Sequence, residues 1–180
     1  MVAHGYRQVR DTVQRHEKNE PLRPIDIETW VATDESPGGY GATIRHLRGD
    51  WVKLGALVGV KPEQARYWGV GVVRRIHRDN ETDHHVGVQL LARAALPVEL
   101  TLLQQGRTVK ADVRRALLLS ARPDDNGEID IALEVGAFSS SGRFVVDING
   151  KPYLLVPSQL VEAGDDFDFA RFKVRKYEVA

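Results

Sequence analysis

From residue 25 onward the apolar positions recur with a period of two, in short runs separated by turn residues. That pattern predicts half-buried strands joined by tight connections. Residues 27–33 alternate, and Asp34, Ser36, Pro37, Gly38 and Gly39 then supply concentrated turn chemistry. Residues 40–44 restart an extended pattern, so the stretch reads as strand, turn, strand. Residues 51–60 are mostly apolar, 61–63 form a Lys-Pro-Glu turn, 67–77 are the longest strand candidate, 79–83 are a charged turn and 85–91 are the next strand. Gly69, Gly71 and Gly87 lie inside runs. There they mark bends, bulges or close backbone approach, the corners that a small barrel needs in order to close.

The pattern pauses over residues 92–97 and then resumes. Residues 98–103 are apolar, 104–107 a turn, and 113–120 contain four consecutive apolar residues, Ala116 to Leu119, read as a strand because turns flank them. Residues 123–127, Pro-Asp-Asp-Asn-Gly, are the strongest turn signal, and Asn149-Gly150 between two alternating runs predicts a type I′ hairpin. Residues 165–174 close the chain with clean alternation. The predicted fold class is all-β: a six-stranded antiparallel barrel over 25–95 followed by a second small β-barrel over 96–180, with one continuous sandwich as the competing architecture. Residues 1–24 are polar, with five basic and three acidic side chains, and end in Pro-Leu-Arg-Pro. Val9 and Val13 allow a short helix around 6–15 with a thin apolar stripe. The segment reads as a mobile N-terminal arm or linker whose removal leaves the barrel folded.

Composition narrows the function classes. Charged residues make up 28% and the formal net charge is +0, so no global field steers the chain onto a polyanion, and no DNA or RNA partner is expected. Zero cysteines exclude a disulfide framework and any thiolate metal site, in keeping with a cytoplasmic location. No apolar run is long enough to span a membrane.

No catalytic constellation stands out. The six histidines are scattered and read as surface residues, and adjacent His84 and His85 lack metal-ligand spacing. Ser36 has no strand-to-helix elbow. The glycines of 38–41 are followed by no P-loop lysine. Asp165, Asp166 and Asp168 lack the glycine and terminal glutamate of a calcium loop. The chain is therefore read as a binding protein rather than an enzyme, with no cofactor and no metal.

Asp34-x-Ser36-x-x-Gly39, with Gly38 beside it, matches a D/N-x-S-x-x-G signature. Downstream, Gly71-Val72-Val73-Arg74 matches a V-V-R strand and 85–90 a closing G-V-x-F strand with leucine in the phenylalanine position. On these residues the chain resembles the PilZ-domain family of bacterial cyclic di-GMP receptors over about 25–93, with a second β-rich segment as in some longer regulators. The resemblance implies a barrel on which the D-x-S-x-x-G turn binds cyclic di-GMP while two arginines of an R-x-x-x-R arm wrap the ligand. No R-x-x-x-R stands upstream of Asp34. Arg7-x-x-Arg10 is one residue short of that spacing. The implied ligand-binding set is Arg7, Arg10, Asp34, Ser36, Gly38 and Gly39. The expected function is a cyclic di-GMP-binding signalling module with an unidentified protein partner. The alternative is a protein-interaction adaptor of the same fold that does not bind the nucleotide.

Overall fold

The computed structural model describes residues 1–79, 83–104 and 107–177, with backbone alone for 107–111. The turns expected at 79–83 and 104–107 lie partly outside the described residues. The chain divides into two compact units, Met1–Ala95 and Leu96–Ala180. The fold is all-β, with one α-helix among the described residues.

In the first unit, β1 (Val2–His4), β2 (Val31–Ser36), β3 (Gly39–Ile44), β4 (Leu57–Val60), β5 (Gly69–Arg78) and β6 (His84–Ala92) form one antiparallel sheet. Its order is β1-β4-β5-β6-β3-β2. Curled into a half-barrel, it buries Val58, Val60, Val73, Val86, Val88, Ala42 and Ile44 on its inner face. Its two edges meet where Val2 and Glu28 exchange both backbone hydrogen bonds at 2.8 Å. Glu28 is only 9% exposed. Its carboxylate accepts from the indole N–H of Trp30 at 3.1 Å and of Trp51 at 3.0 Å, so a charge buried at the seam is satisfied twice. The rings of His4, Trp51 and Trp30 stack in that order, with centroids 4.1 and 5.6 Å apart.

The polar segment expected as a mobile arm is built into this unit. Val2 and Ala3 are buried in β1, and α1 (Tyr6–Glu17) follows, burying Tyr6, Val9 and Val13. The stripe is thin, but its seat is a glycine. A Cβ on Gly59 of β4 would come within 3.0 Å of Val9 Cγ1 and 3.4 Å of the Trp68 ring, so the bare backbone lets the helix settle closely on the sheet. Tertiary packing of this kind, rather than helix propensity, holds a short helix. Two smaller expectations also change. The first hairpin strand begins at Val31 rather than residue 27. His84, expected on the surface, is buried at 7% exposure with neither ring nitrogen hydrogen-bonded to protein.

In the second unit, β7 (Leu96–Gln104), β8 (Arg107–Leu118), β9 (Glu128–Glu134), β10 (Arg143–Ile148), β11 (Lys151–Ala163) and β12 (Phe167–Lys176) close into a barrel in the order β10-β11-β12-β9-β8-β7, with β7 pairing back onto β10. Leu100, Leu118, Ile131, Leu133, Phe144, Leu155 and Phe172 fill it. The turns follow their sequence chemistry. Asn149 and Gly150 both have positive φ, 55° and 75°, as a type I′ hairpin requires. Asp124 Oδ1 accepts from the amides of Asn126 at 2.8 Å and Glu128 at 2.9 Å. Asp168 is buried and accepts from the Phe138 amide at 3.0 Å, tying a loop to β12.

Candidate functional site

The D-x-S-x-x-G stretch forms the hairpin of β2 and β3, closed by the two-residue turn Pro37-Gly38 between the paired residues Ser36 and Gly39. Its two glycines have different tasks. Gly38 faces open space, with nothing within 4 Å of a would-be Cβ, whereas a Cβ on Gly39 would run into the Val88 carbonyl of β6. Gly39 therefore lets the hairpin lie flat on β6, where the Leu90 amide donates to the Gly38 carbonyl at 2.9 Å. Arg93, just beyond β6, reaches back to the tip. Its Nη2 donates to the Ser36 and Pro37 carbonyls at 3.1 and 3.2 Å, and its Nη1 donates to Glu35 at 3.3 Å.

A β-bulge decides which way the motif faces. Ala32 pairs with Ala42, an inner-face residue, but Asp34 pairs with Gly41, because one extra residue stands in β2 between them. Strand side chains alternate with a period of two, so the extra residue reverses the parity. Asp34 and Ser36 turn to the outer face, and Glu35 comes opposite Tyr40. A second bulge does the same in β5. Val73 pairs with Val88, while Arg75 rather than Arg74 pairs with Gly87. Gly41 in turn pairs with Gly87. Asp34, Gly41, Gly87 and Arg75 thus form one row across four adjacent strands, β2, β3, β6 and β5.

The glycines in that row are seats. A Cβ on Gly41 would lie 2.5–2.8 Å from the carboxylate atoms of Asp34, and one on Gly87 would lie 2.9 Å from Nε of Arg75. The acid and the cation therefore lean inward over neighbouring positions. Both are exposed, and among the described residues no ion pair joins them. Above the row is an outer-face cleft of about 620 Å³, also bordered by Leu54, Arg74, His77 and His85. One row along, Thr43 Oγ1 lies 3.0 Å from His85 Nδ1. His85 Nε2 and His77 Nε2 face the two oxygens of Asp79 at 2.8 and 2.9 Å. Among the described residues no group of three or more His, Cys, Asp or Glu could hold a metal ion.

On the inner face a second cleft, about 640 Å³, opens between Trp30, Tyr40, Val60 and Val88, with Glu35 and Lys61 at its rim. Burial raises the Tyr40 hydroxyl above the usual tyrosine range, and the Glu35 carboxylate adds to this while Arg93 opposes it.

The structure brings Asp34, Ser36, Gly38 and Gly39 together on the hairpin. Arg7 and Arg10 lie on α1, which packs on β1 and β4. Arg10 donates to Asp11 at 2.9 Å and lies 5.9 Å from the Tyr6 ring centroid, bonds internal to its own helix. Sequence reasoning missed Arg75, Gly41 and Arg93. The glycines within strands were the available signal, but the register that brings Gly41 opposite Gly87, and so Asp34 into one row with Arg75, is not local.

The family described as cyclic-di-GMP receptor FimW, middle PilZ domain, matches residues 4–97, more than half of the chain. The chain belongs to this PilZ-domain family. The match begins at the end of β1, so α1 lies inside the PilZ region rather than ahead of it. The chain is also similar to the cyclic-di-GMP receptor FimW of Pseudomonas aeruginosa, 23% identical over 165 residues, which cover 92% of this chain and 27% of that protein. The chain thus spans about a quarter of the length of that curated relative. No solved structure matches it. No helix among the described residues is long and apolar enough to cross a membrane.

Proposed function

We propose that this PilZ protein is a non-enzymatic regulatory module that binds cyclic di-GMP on the outer face of its first unit. The observation that carries the reading is the bulged D-x-S-x-x-G hairpin, which sets Asp34 at the border of an open cleft and Ser36 on the same face, its hydroxyl donating to the Gly39 carbonyl at 3.4 Å, in a chain whose family is named for cyclic-di-GMP reception. A carboxylate only accepts hydrogen bonds, so Asp34 suits the donor edge of guanine. Ser36 adds a hydroxyl. Gly38 leaves the turn uncovered, and Gly39 lets the hairpin lie close on β6. Arg7 and Arg10 complete the ligand set if α1 shifts toward the hairpin. The signal then passes to a protein partner as a change in α1 and in the arrangement of the two units.

The adaptor reading has its own support. Arg10 is engaged within α1, and the arm spacing of the resemblance is absent. Calorimetry on the intact chain with cyclic di-GMP, set against GTP and cyclic GMP, separates the two. The receptor reading expects saturable heat and a thermal shift with cyclic di-GMP alone. No heat and no shift at high micromolar ligand leaves the adaptor.

A further inference from the structure

Resting on the receptor reading above, we infer that Arg75 of β5 supplies a cation for the ligand's phosphate, opposite the base edge held by Asp34. The two residues are 41 positions apart in sequence, yet each is brought to the same row by its own bulge. Between them lie two paired glycines whose bare backbones form the floor. Without the β5 bulge Arg74 would take the place opposite Gly87. Arg74 instead donates from Nε to Gln89 at 2.9 Å.

The spacing suits one nucleotide. Asp34 and Arg75 stand three strand intervals apart, roughly 14 Å between backbones, and both side chains lean inward over Gly41 and Gly87. The acceptor-only carboxylate takes the N–H groups of guanine, an edge that adenine does not present. The planar guanidinium takes a phosphate in bidentate fashion. Leu54, 63% exposed at the cleft's border, offers an apolar surface to the base. A charged pair held apart over a flat glycine floor is a poor structural ion pair, because its members do not touch. It is a good complement to a ligand with a donor edge at one end and an anion at the other.

The test is titration calorimetry of the intact chain with cyclic di-GMP at two salt concentrations. The variants are Arg75→Gln, Arg75→Lys and, as a control for net charge, Arg122→Gln on the surface of the second unit. Loss of a charge-assisted bond predicts that Arg75→Gln weakens binding about ten- to a hundredfold and flattens its salt dependence. Arg75→Lys should recover part of the loss, and Arg122→Gln should bind as the native chain does. Since Arg75 is exposed, the unfolding midpoint of Arg75→Gln should match the native one. Native affinity in Arg75→Gln, or an equal loss in Arg122→Gln, overturns this inference and leaves the receptor reading intact. Absence of binding by the native chain overturns the receptor reading itself, and the assignment of Arg75 with it.

Discussion

At the scale of the residue, Gly38 and Gly39 show why a motif position cannot be valued by its letter. Gly38 faces open space without positive φ, so Gly38→Ala should be nearly neutral. Gly39→Val forces a side chain into the Val88 carbonyl and should destabilise the first unit by about 1–3 kcal/mol, the usual range for overpacking. Urea unfolding of the two variants checks this. Equal stability would mean that the hairpin shifts off β6 without cost. Gly39, which the sequence marks only as part of the D-x-S-x-x-G turn, is thus a place where a side chain is poorly tolerated. The reason in the structure is the neighbouring strand, not a left-handed backbone. Gly106, in the turn expected at 104–107, lies outside the described residues.

At the scale of the element, the N-terminal strand and helix carry the largest revision. Their polarity reads as a solvated arm because α1 buries only four side chains, Tyr6, Val9, Thr12 and Val13, one of them polar. The structure adds Gly59 as a seat and the Val2–Glu28 pair as a clasp between the sheet edges. Deleting residues 1–20 therefore should not leave the barrel intact. It removes β1 and opens the seam over the Trp30–Trp51 stack. We expect a lower unfolding midpoint and red-shifted tryptophan emission, read by fluorescence during thermal melting. An unchanged spectrum and midpoint would show that the segment is dispensable after all. By contrast, the hairpin turns at 124–127 and 149–150 were legible from sequence, because Asp, Asn and Gly set their geometry locally.

At the scale of the whole molecule, a PilZ half-barrel and a closed barrel stand in tandem with different means of closure. The first is joined at its edges through Val2 and Glu28, the second by continuous pairing of β7 with β10. A ligand confined to the outer face of the first unit should stabilise that unit alone. At about a hundredfold excess over its Kd, mass action supplies roughly 2.7 kcal/mol. Hydrogen exchange of the intact chain should therefore show slower exchange within 1–95 on adding cyclic di-GMP and unchanged exchange in 96–177. Protection gained only in the second unit would overturn the location of the site.

Short stretches of the chain encode strands from period-two alternation, turns from Gly, Asn, Asp and Pro, and a D-x-S-x-x-G hairpin with the PilZ resemblance it carries. Which side each strand residue faces, and which residues meet across strands, is set by strand pairing in the folded chain. A bulge is one unpaired residue, invisible in the alternation of its own strand, and it moves every later side chain to the other face. That single step turns Asp34 outward and sets Arg75 opposite Gly87. Each bulge exists only in the register with the partner strand, and the pairing that joins the two, Gly41 of β3 with Gly87 of β6, spans distant parts of the chain, so no reading of residues 31–36 or 69–78 alone contains it.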